Sequence, residues 1–170
     1  MEKKYKLTDE TIQHRGITLY RIEALRDFGN IKKGEKGGFI GSEVNLSQYG
    51  DCWVYGNAAV CGDAKVCGDA KVCGDAAVCG DAEVVNNADY IVFKNWWSSG
   101  RYFTWTRSNN MWRVGCFYGT GEELIAKAYK DSELSGREYE RIVRYVEAIN
   151  QPAKRLNLIQ RIVCKLFKIR

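Results

Sequence analysis

Residues 62–85 read GDAKVCGDAKVCGDAAVCGDAEVV, in which a valine recurs at every sixth position. The same six-residue unit runs in seven consecutive copies from Gly50 to Ile91, each opening with Gly-Asp, Gly-Asn or Asn-Asn. Glycine accepts a positive φ and Asp or Asn bonds to the nearby backbone, so each unit begins with a turn. A period of six fits neither a helix of 3.6 residues per turn nor a β-meander, and it favours a solenoid.

The four residues after each turn alternate as a short strand would. One half of the alternation is small or aliphatic and is predicted to point inward: Ala58, Ala64, Ala70, Ala76, Ala82, Val60, Val66, Val72, Val78 and Val84. The residues between them are predicted to point outward, among them the four regularly spaced cysteines Cys61, Cys67, Cys73 and Cys79.

A small residue two positions before an inward aliphatic residue resembles the hexapeptide-repeat left-handed β-helix. The resemblance implies that three hexads form one coil, so that residues 18 apart stack at a spacing of about 4.8 Å. The fold class expected from it is mainly β: a short left-handed parallel β-helix with flanking β-strands and a C-terminal α-helical subdomain. The expected segments are an N-terminal strand cap with a Gly-rich loop (1–43), the β-helix (44–91), an aromatic β-region (92–118), a two-helix subdomain (119–151) and a basic amphipathic helix (152–170).

In that stacking, one outer face would carry small uncharged residues alone, namely Ala59, Cys61, Ala77 and Cys79. Water does not require such a face, so it is predicted to be covered by a neighbouring subunit or by the C-terminal segment. The same segment has an apolar stripe of Leu156, Ile159, Val163 and Leu166. These eight residues form the predicted oligomer interface, and a homotrimer is the favoured assembly.

Outside the hexads, the sequence predicts two strands around a turn at Arg15-Gly16, and three aromatic strands in "IVFKNWW", "RYFTWTR" and "MWRVGCFYG". The Gly-rich "NIKKGEKGGFIGSE" is interpreted as a loop. Two helices are predicted, each opened by a capping box, at Thr120–Glu123 and at Ser135–Glu138.

The segment "RYFTWTR" is the candidate ligand site. Strand alternation places Arg101, Phe103, Trp105 and Arg107 on one side, where two aromatic rings and two guanidinium groups can stack a base and hold phosphates. The alternative is structural, with the rings covering the open end of the repeat while the arginines extend to water.

Catalysis and metal binding are not expected from the sequence. Seven cysteines without a C-x2-C pair indicate reduced thiols; Cys61 and Cys79 come within reach of each other, but no further ligand is evident. Acyltransferases of the hexapeptide-repeat class use a histidine base, and the single histidine, His14, lies in a predicted turn. No catalytic residue, cofactor or metal ligand is therefore assigned.

The net charge of +5 is concentrated near the C-terminus, where residues 152–170 contain six cations and no acid. This segment could contact another subunit, a membrane surface or a nucleic acid. The N-terminus is charged and no apolar run spans a membrane, so a cytoplasmic protein is expected.

Three segments, "LYRIEALRDFG", "GGFIGSEVNLSQYGDCWVYGNA" and "RVGCFYGTGEEL", resemble hexapeptide-repeat proteins encoded by bacteriophages and prophages. The resemblance implies a bacterial host and brings no defined activity with it. The function expected is that of a non-catalytic oligomeric binding protein that counters host defence by sequestering a nucleotide-type signal or blocking a host defence protein. A polymer-forming structural protein and an acyltransferase are the alternatives.

Overall fold

The computed structural model describes residues 2–97 and 100–150. The interface residues Leu156, Ile159, Val163 and Leu166 and the predicted helix 152–170 lie outside the described residues. The chain divides into two compact units, residues 1–124 and residues 125–170. Neither helix found in residues 121–150 combines the length and the apolar character needed to cross a membrane.

Strands precede helices along the described chain. The strands are β1 (Tyr5–His14), β2 (Ile17–Ala24), β3 (Lys36–Ile40), β4 (Trp53–Val54), β5 (Ala59–Val60), β6 (Lys65–Val66), β7 (Lys71–Val72), β8 (Ala77–Val78), β9 (Glu83–Val84), β10 (Tyr90–Lys94), β11 (Tyr102–Thr106), β12 (Met111–Val114) and β13 (Phe117–Gly119). The helices are α1 (Gly121–Asp131) and α2 (Glu133–Asn150).

The strands β4 to β9 are the two-residue segments of the hexads, and each pairs in parallel with the strand three hexads away. Ala59 lies opposite Ala77 and Lys65 lies opposite Glu83. The predicted register of 18 residues is therefore confirmed. All ten alanines and valines predicted to point inward are buried, and they form one core with the rings of Tyr5, Phe28 and Trp53.

The expected fold class is wrong. The described residues form a mixed structure of strands in four sheets together with helices of 11 and 18 residues, rather than a mainly β chain built on a β-helix. The hexad strands are also divided among three sheets. Only β5 and β8 extend a larger sheet, with the order β1-β2-β3-β5-β8, because the N-terminal strands pair with that column alone.

The Gly-rich segment predicted as a loop contains β3, which pairs antiparallel with β2 and parallel with β5. Two consecutive glycines of β3 allow this close packing. A Cβ at Gly38 would lie 2.5 Å from the carbonyl oxygen of Ala58, and one at Gly37 would lie 2.6 Å from that of Val54. Any larger residue would push the strand away from the hexads, so the glycines serve proximity rather than flexibility.

The last hexad strands would leave their outer N–H groups unpaired, but side chains from the following segment accept each of them. A polar residue accepts one hydrogen bond per column, at 2.7–3.0 Å. The pairs are Lys71 N to Asn87 Oδ1, Ala77 N to Thr104 Oγ1, and Glu83 N to Ser108 Oγ. This chemistry ends the strand ladder and protects an edge that could otherwise pair with another chain.

The helices begin with side-chain caps. Thr120 and Glu123 form the predicted capping box, since the Glu123 carboxylate accepts from Thr120 N at 2.8 Å and Thr120 Oγ1 accepts from Glu123 N at 3.3 Å. The second predicted box is displaced by one turn. Helix α2 begins at Glu133, and Ser132 Oγ accepts from Ser135 N at 3.1 Å.

Candidate thiol and arginine site

Two cysteines of the repeat meet on one column. Cys61 and Cys79 directly follow the paired strands β5 and β8, which places their sulfur atoms 2.9 Å apart. Both residues are buried, at 4% and 6% exposure. Because the hexads repeat at 18 residues, two thiols face each other wherever two cysteines occupy positions three hexads apart.

The cover over this column comes from the same chain. Leu19 and Phe39, from β2 and β3, pack against Ala59, Cys61 and Cys79. Partly buried side chains complete the cluster: Ile12, Ala77 and Tyr118. The small-residue face predicted as an oligomer interface is therefore packed, in this structure, under the N-terminal hairpin.

His14 adds a nitrogen to the two sulfurs. It ends β1, immediately before the turn in which Arg15 and Gly16 have φ of 57° and 77°, and it is half-buried. One ring nitrogen and the two sulfur atoms all lie within 4.8 Å of one another. The sequence gave no sign of this meeting, because His14 belongs to no repeat and reaches the column only through the pairing of β1 with β2.

Arg113 lies on β12, on the other side of His14, and is 7% exposed. Its Nη2 donates a hydrogen bond to His14 Nε2 at 2.9 Å, while its buried Nε has no hydrogen-bond partner among the described residues. A guanidinium can only donate, so Nε2 carries the lone pair and the imidazole is neutral. A buried donor without a partner has lost its hydration and favours an incoming acceptor.

The thiols and the imidazole titrate under the influence of these groups. The hydrogen bond from the Cys79 sulfur lowers the pKa of Cys61 to about 7, against the effect of burial and with help from the charges of Arg113 and Arg15. The same hydrogen bond raises the pKa of Cys79, and burial raises it further. Burial, together with Arg113 and Arg15, lowers the pKa of His14. Near neutral pH the pair of thiols thus shares one proton beside a neutral ring.

Tyr118 forms one wall of the site and is held by a short network. Its hydroxyl accepts from Asn109 Nδ2 at 3.2 Å and donates to the carbonyl oxygen of Cys79 at 3.4 Å. The same amide group of Asn109 donates to Asp81 at 2.9 Å. The strands β12 and β13 are thereby fixed to the hexad turn that follows Cys79.

Two cavities adjoin His14 and Arg113. The first, of about 320 Å³, is lined by Cys61, Cys79, Arg15 and Tyr118. The second, of about 190 Å³, lies on the other side of the same pair, and its lining includes Asp75, Arg101, Tyr102, Thr104 and Gly115. The arrangement therefore offers sulfur and nitrogen ligands in one cavity and two guanidinium groups in the other.

The predicted ligand residues have separate fates. Arg101 lines the smaller cavity, and Gly115 leaves room for its side chain, since a Cβ there would lie 3.0 Å from Arg101 Cδ. Phe103 and Trp105 are buried and offer no open face to a base. Arg107 binds backbone instead, donating from Nη2 to the carbonyl oxygen of Ala88 at 3.0 Å. The structure thus brings Arg101 together with Arg113, which the sequence did not single out.

No protein-family model matches this chain, and no curated protein matches its sequence. Its chemistry is therefore argued from the residues themselves. Two features stand out among the described residues, a cysteine–histidine cluster and a buried arginine that faces a cavity with a second arginine beside it.

Proposed function

We propose that the chain is a non-catalytic binding protein for a small phosphate-bearing anion of the nucleotide class, held by Arg101 and Arg113 in the cavity beside His14. The single observation that carries the proposal is Arg113. Its guanidinium is more than nine-tenths buried, and its Nε lacks a partner among residues 2–97 and 100–150. A phosphate oxygen supplies the charged acceptor that a buried guanidinium favours.

The charge of the cavity lining supports an anion. Arg101 and Arg113 are opposed by the carboxylate of Asp75, and the lowered pKa of His14 keeps the imidazole neutral at physiological pH. The lining therefore carries a net positive charge. Thr104 and Tyr102 add hydroxyl groups at the same wall, although Thr104 Oγ1 already accepts from Ala77 N.

The size of the cavity favours a phosphoryl group over an entire nucleotide. At about 190 Å³ it is smaller than the roughly 300–1,000 Å³ of pockets that enclose drug-sized ligands. The phosphate would enter the cavity while the remainder of the ligand extends over the surface. Because Phe103 and Trp105 are buried, base stacking on these two rings has no part in the proposal.

The biological role follows from the resemblance to bacteriophage proteins. A phage protein that retains a nucleotide-type signal would withhold it from a host defence system, which makes counter-defence by sequestration the proposed role. Assembly as a homotrimer, contact of the basic C-terminal segment with a membrane surface, and a host protein as partner remain predictions.

The acyltransferase alternative gains one observation, because His14 borders two cavities. A general base, however, needs a free lone pair and a pKa near the working pH. Nε2 of His14 accepts from Arg113, and burial and the neighbouring arginines lower its pKa. The binding role therefore remains the better supported of the two.

The proposal is tested with two arginines of the same strand segment. The protein is purified from bacteria, examined by native mass spectrometry for bound nucleotide, and titrated calorimetrically with mono-, di- and cyclic nucleotides. Arg101→Ala is expected to weaken binding at least about tenfold, as the loss of a charge-assisted contact does. Arg107→Ala is the matched control, since Arg107 binds Ala88 and does not line the cavity.

Two results would reject the proposal. One is the absence of any co-purified or titrated nucleotide. The other is binding that the Arg101 and Arg107 variants weaken equally, because it would place the anion on the general positive surface rather than in the cavity.

A further inference from the structure

We propose that Cys61, Cys79 and His14 form a binding site for a thiophilic divalent cation of the zinc class. The three side chains provide two sulfur atoms and one nitrogen, and their ligand atoms lie within 4.8 Å of one another. Thiolate and imidazole are the ligands that zinc takes in proteins, most often in tetrahedral sets of four. This proposal does not depend on the anion site, because Arg101 does not line the thiol cavity.

The distances permit coordination with small side-chain movements. Zinc–sulfur bonds of about 2.3 Å in tetrahedral geometry place two sulfur atoms about 3.8 Å apart. The sulfurs of Cys61 and Cys79 are 2.9 Å apart, so they would open by about one ångström. The backbone under them need not move, since both cysteines directly follow the paired strands β5 and β8.

The imidazole is in the protonation state that a metal requires. Arg113 donates to His14 Nε2, so this nitrogen carries a lone pair directed out of the ring. A metal ion at Nε2 would replace the Arg113 hydrogen bond. Two thiolates balance the charge of a divalent cation, which makes the occupied cluster neutral beside the arginine.

The surroundings resemble a site with one open position. Cys61 and Cys79 are buried, whereas His14 is half-buried and borders the cavity of about 320 Å³ with Tyr118. Three protein ligands plus a position open to water or a small ligand is the arrangement of accessible zinc sites. The fourth ligand would therefore enter from this cavity.

The repeat itself provides the comparison that isolates this site. Cys67 and Cys73 occupy the same position of their hexads as Cys61, but in the 18-residue register Cys67 faces Val85 and Cys73 faces Tyr55. Two sulfurs meet on the Cys61–Cys79 column because both hexads there end in cysteine. Zinc ligation on this column thus requires no sequence motif of closely spaced cysteines.

The test is a titration of the reduced, metal-free protein with Co²⁺, which reports thiolate ligation by a charge-transfer band in the near ultraviolet and tetrahedral geometry by intense visible bands. One Co²⁺ per chain, displaced by Zn²⁺, is the expected result. Cys61→Ser and Cys79→Ser should each remove the charge-transfer band or weaken binding at least about a hundredfold, and His14→Ala at least about tenfold. Cys67→Ser/Cys73→Ser is the matched control and should titrate as the unaltered chain does.

Three outcomes would overturn the proposal. The first is the absence of a charge-transfer band at stoichiometric Co²⁺, and the second is loss of the band in the Cys67/Cys73 control. The third is a reduced protein that binds no cobalt but forms a Cys61–Cys79 disulfide in air, found by peptide mapping, which would make the pair a redox dithiol. Circular dichroism verifies the fold of each variant. If the serine variants do not fold, the partly exposed His14→Ala variant still decides the question.

Discussion

Cys61 and Cys73 end two hexads of nearly identical sequence, yet one is buried in a cluster and the other is exposed. Their backbones follow the same rule, since each hexad strand pairs with the strand 18 residues away. What differs is the cover, because the N-terminal hairpin and Tyr118 pack over the Cys61–Cys79 column while the Cys73 column stays open at its outer side. A repeat therefore fixes where side chains stack, and non-repeated segments decide which stacks become buried sites.

The largest expected effect comes from removing the cover. Leu19→Ala deletes a fully buried side chain that packs on Ala59 and the two cysteines, and it should reduce the free energy of unfolding by about 2–5 kcal/mol. Ile17→Ala, on the same strand but at a position 46% exposed, should cost about 1 kcal/mol or less. Urea unfolding followed by circular dichroism measures both.

The same pair of variants tests the comparison between columns. In the unaltered chain, alkylation followed by mass spectrometry should modify Cys73 at least about ten times faster than Cys61 or Cys79, because burial requires local opening first. Leu19→Ala should narrow this ratio and Ile17→Ala should not. Equal rates in the unaltered chain would mean that the hairpin does not cover the column in solution.

A second effect, of intermediate size, concerns the side chains that end the strand ladder. Thr104→Val removes the acceptor of Ala77 N in a partly buried place and should cost about 1–2 kcal/mol. Ser108→Ala removes the acceptor of Glu83 N where water can replace it, and should cost about 0.5 kcal/mol or less.

Denaturant unfolding of both variants provides the measurement, with the unaltered chain as reference. A Ser108→Ala cost equal to that of Thr104→Val would contradict the idea that the covered column is the more demanding one. Increased association of the Thr104 variant on size-exclusion chromatography would further support the view that these caps protect a strand edge.

The sequence allowed the local part of this structure to be predicted and concealed the rest. The spacing of six determined which alanines and valines face inward and which residues lie opposite each other, as Lys65 and Glu83 show. The fold class was wrong because a two-residue strand pairs with whatever lies beside it, and here one column joins the N-terminal hairpin. The candidate site was missed for a related reason, since His14 and Arg113 make contact although 99 residues separate them.

A smaller effect is expected from the charged column. Lys65 and Glu83 lie opposite each other on β6 and β9, in contrast to Ala59 and Ala77 on the covered column. A double-mutant cycle of Lys65→Ala and Glu83→Ala should give a favourable coupling of about 0.2–1 kcal/mol at low ionic strength. The coupling should decrease in high salt, because both residues are exposed. A coupling of zero at low salt would show that packing alone sets the register.

The smallest effect is a dependence on acidity at the hairpin that provides the cover. Glu10 on β1 binds Arg21 on β2 at 2.6 Å and Lys36 on β3 at 3.1 Å, and these hydrogen bonds lower the pKa of its carboxyl below the ordinary 4.5. A carboxyl whose pKa is depressed in the folded state contributes stability above its unfolded value and loses it as the pH falls through the folded one. Glu10→Gln should therefore be less stable than the unaltered chain at neutral pH, with the difference shrinking as the pH falls below about 4.5. Thermal unfolding between pH 3 and pH 7 measures this, with Asp9→Asn on the same exposed strand as control. If the Glu10 variant kept its full deficit at the lowest pH, the loss would be one of packing over β1–β3 rather than of the ion pairs, and the hairpin would cover the thiols independently of charge.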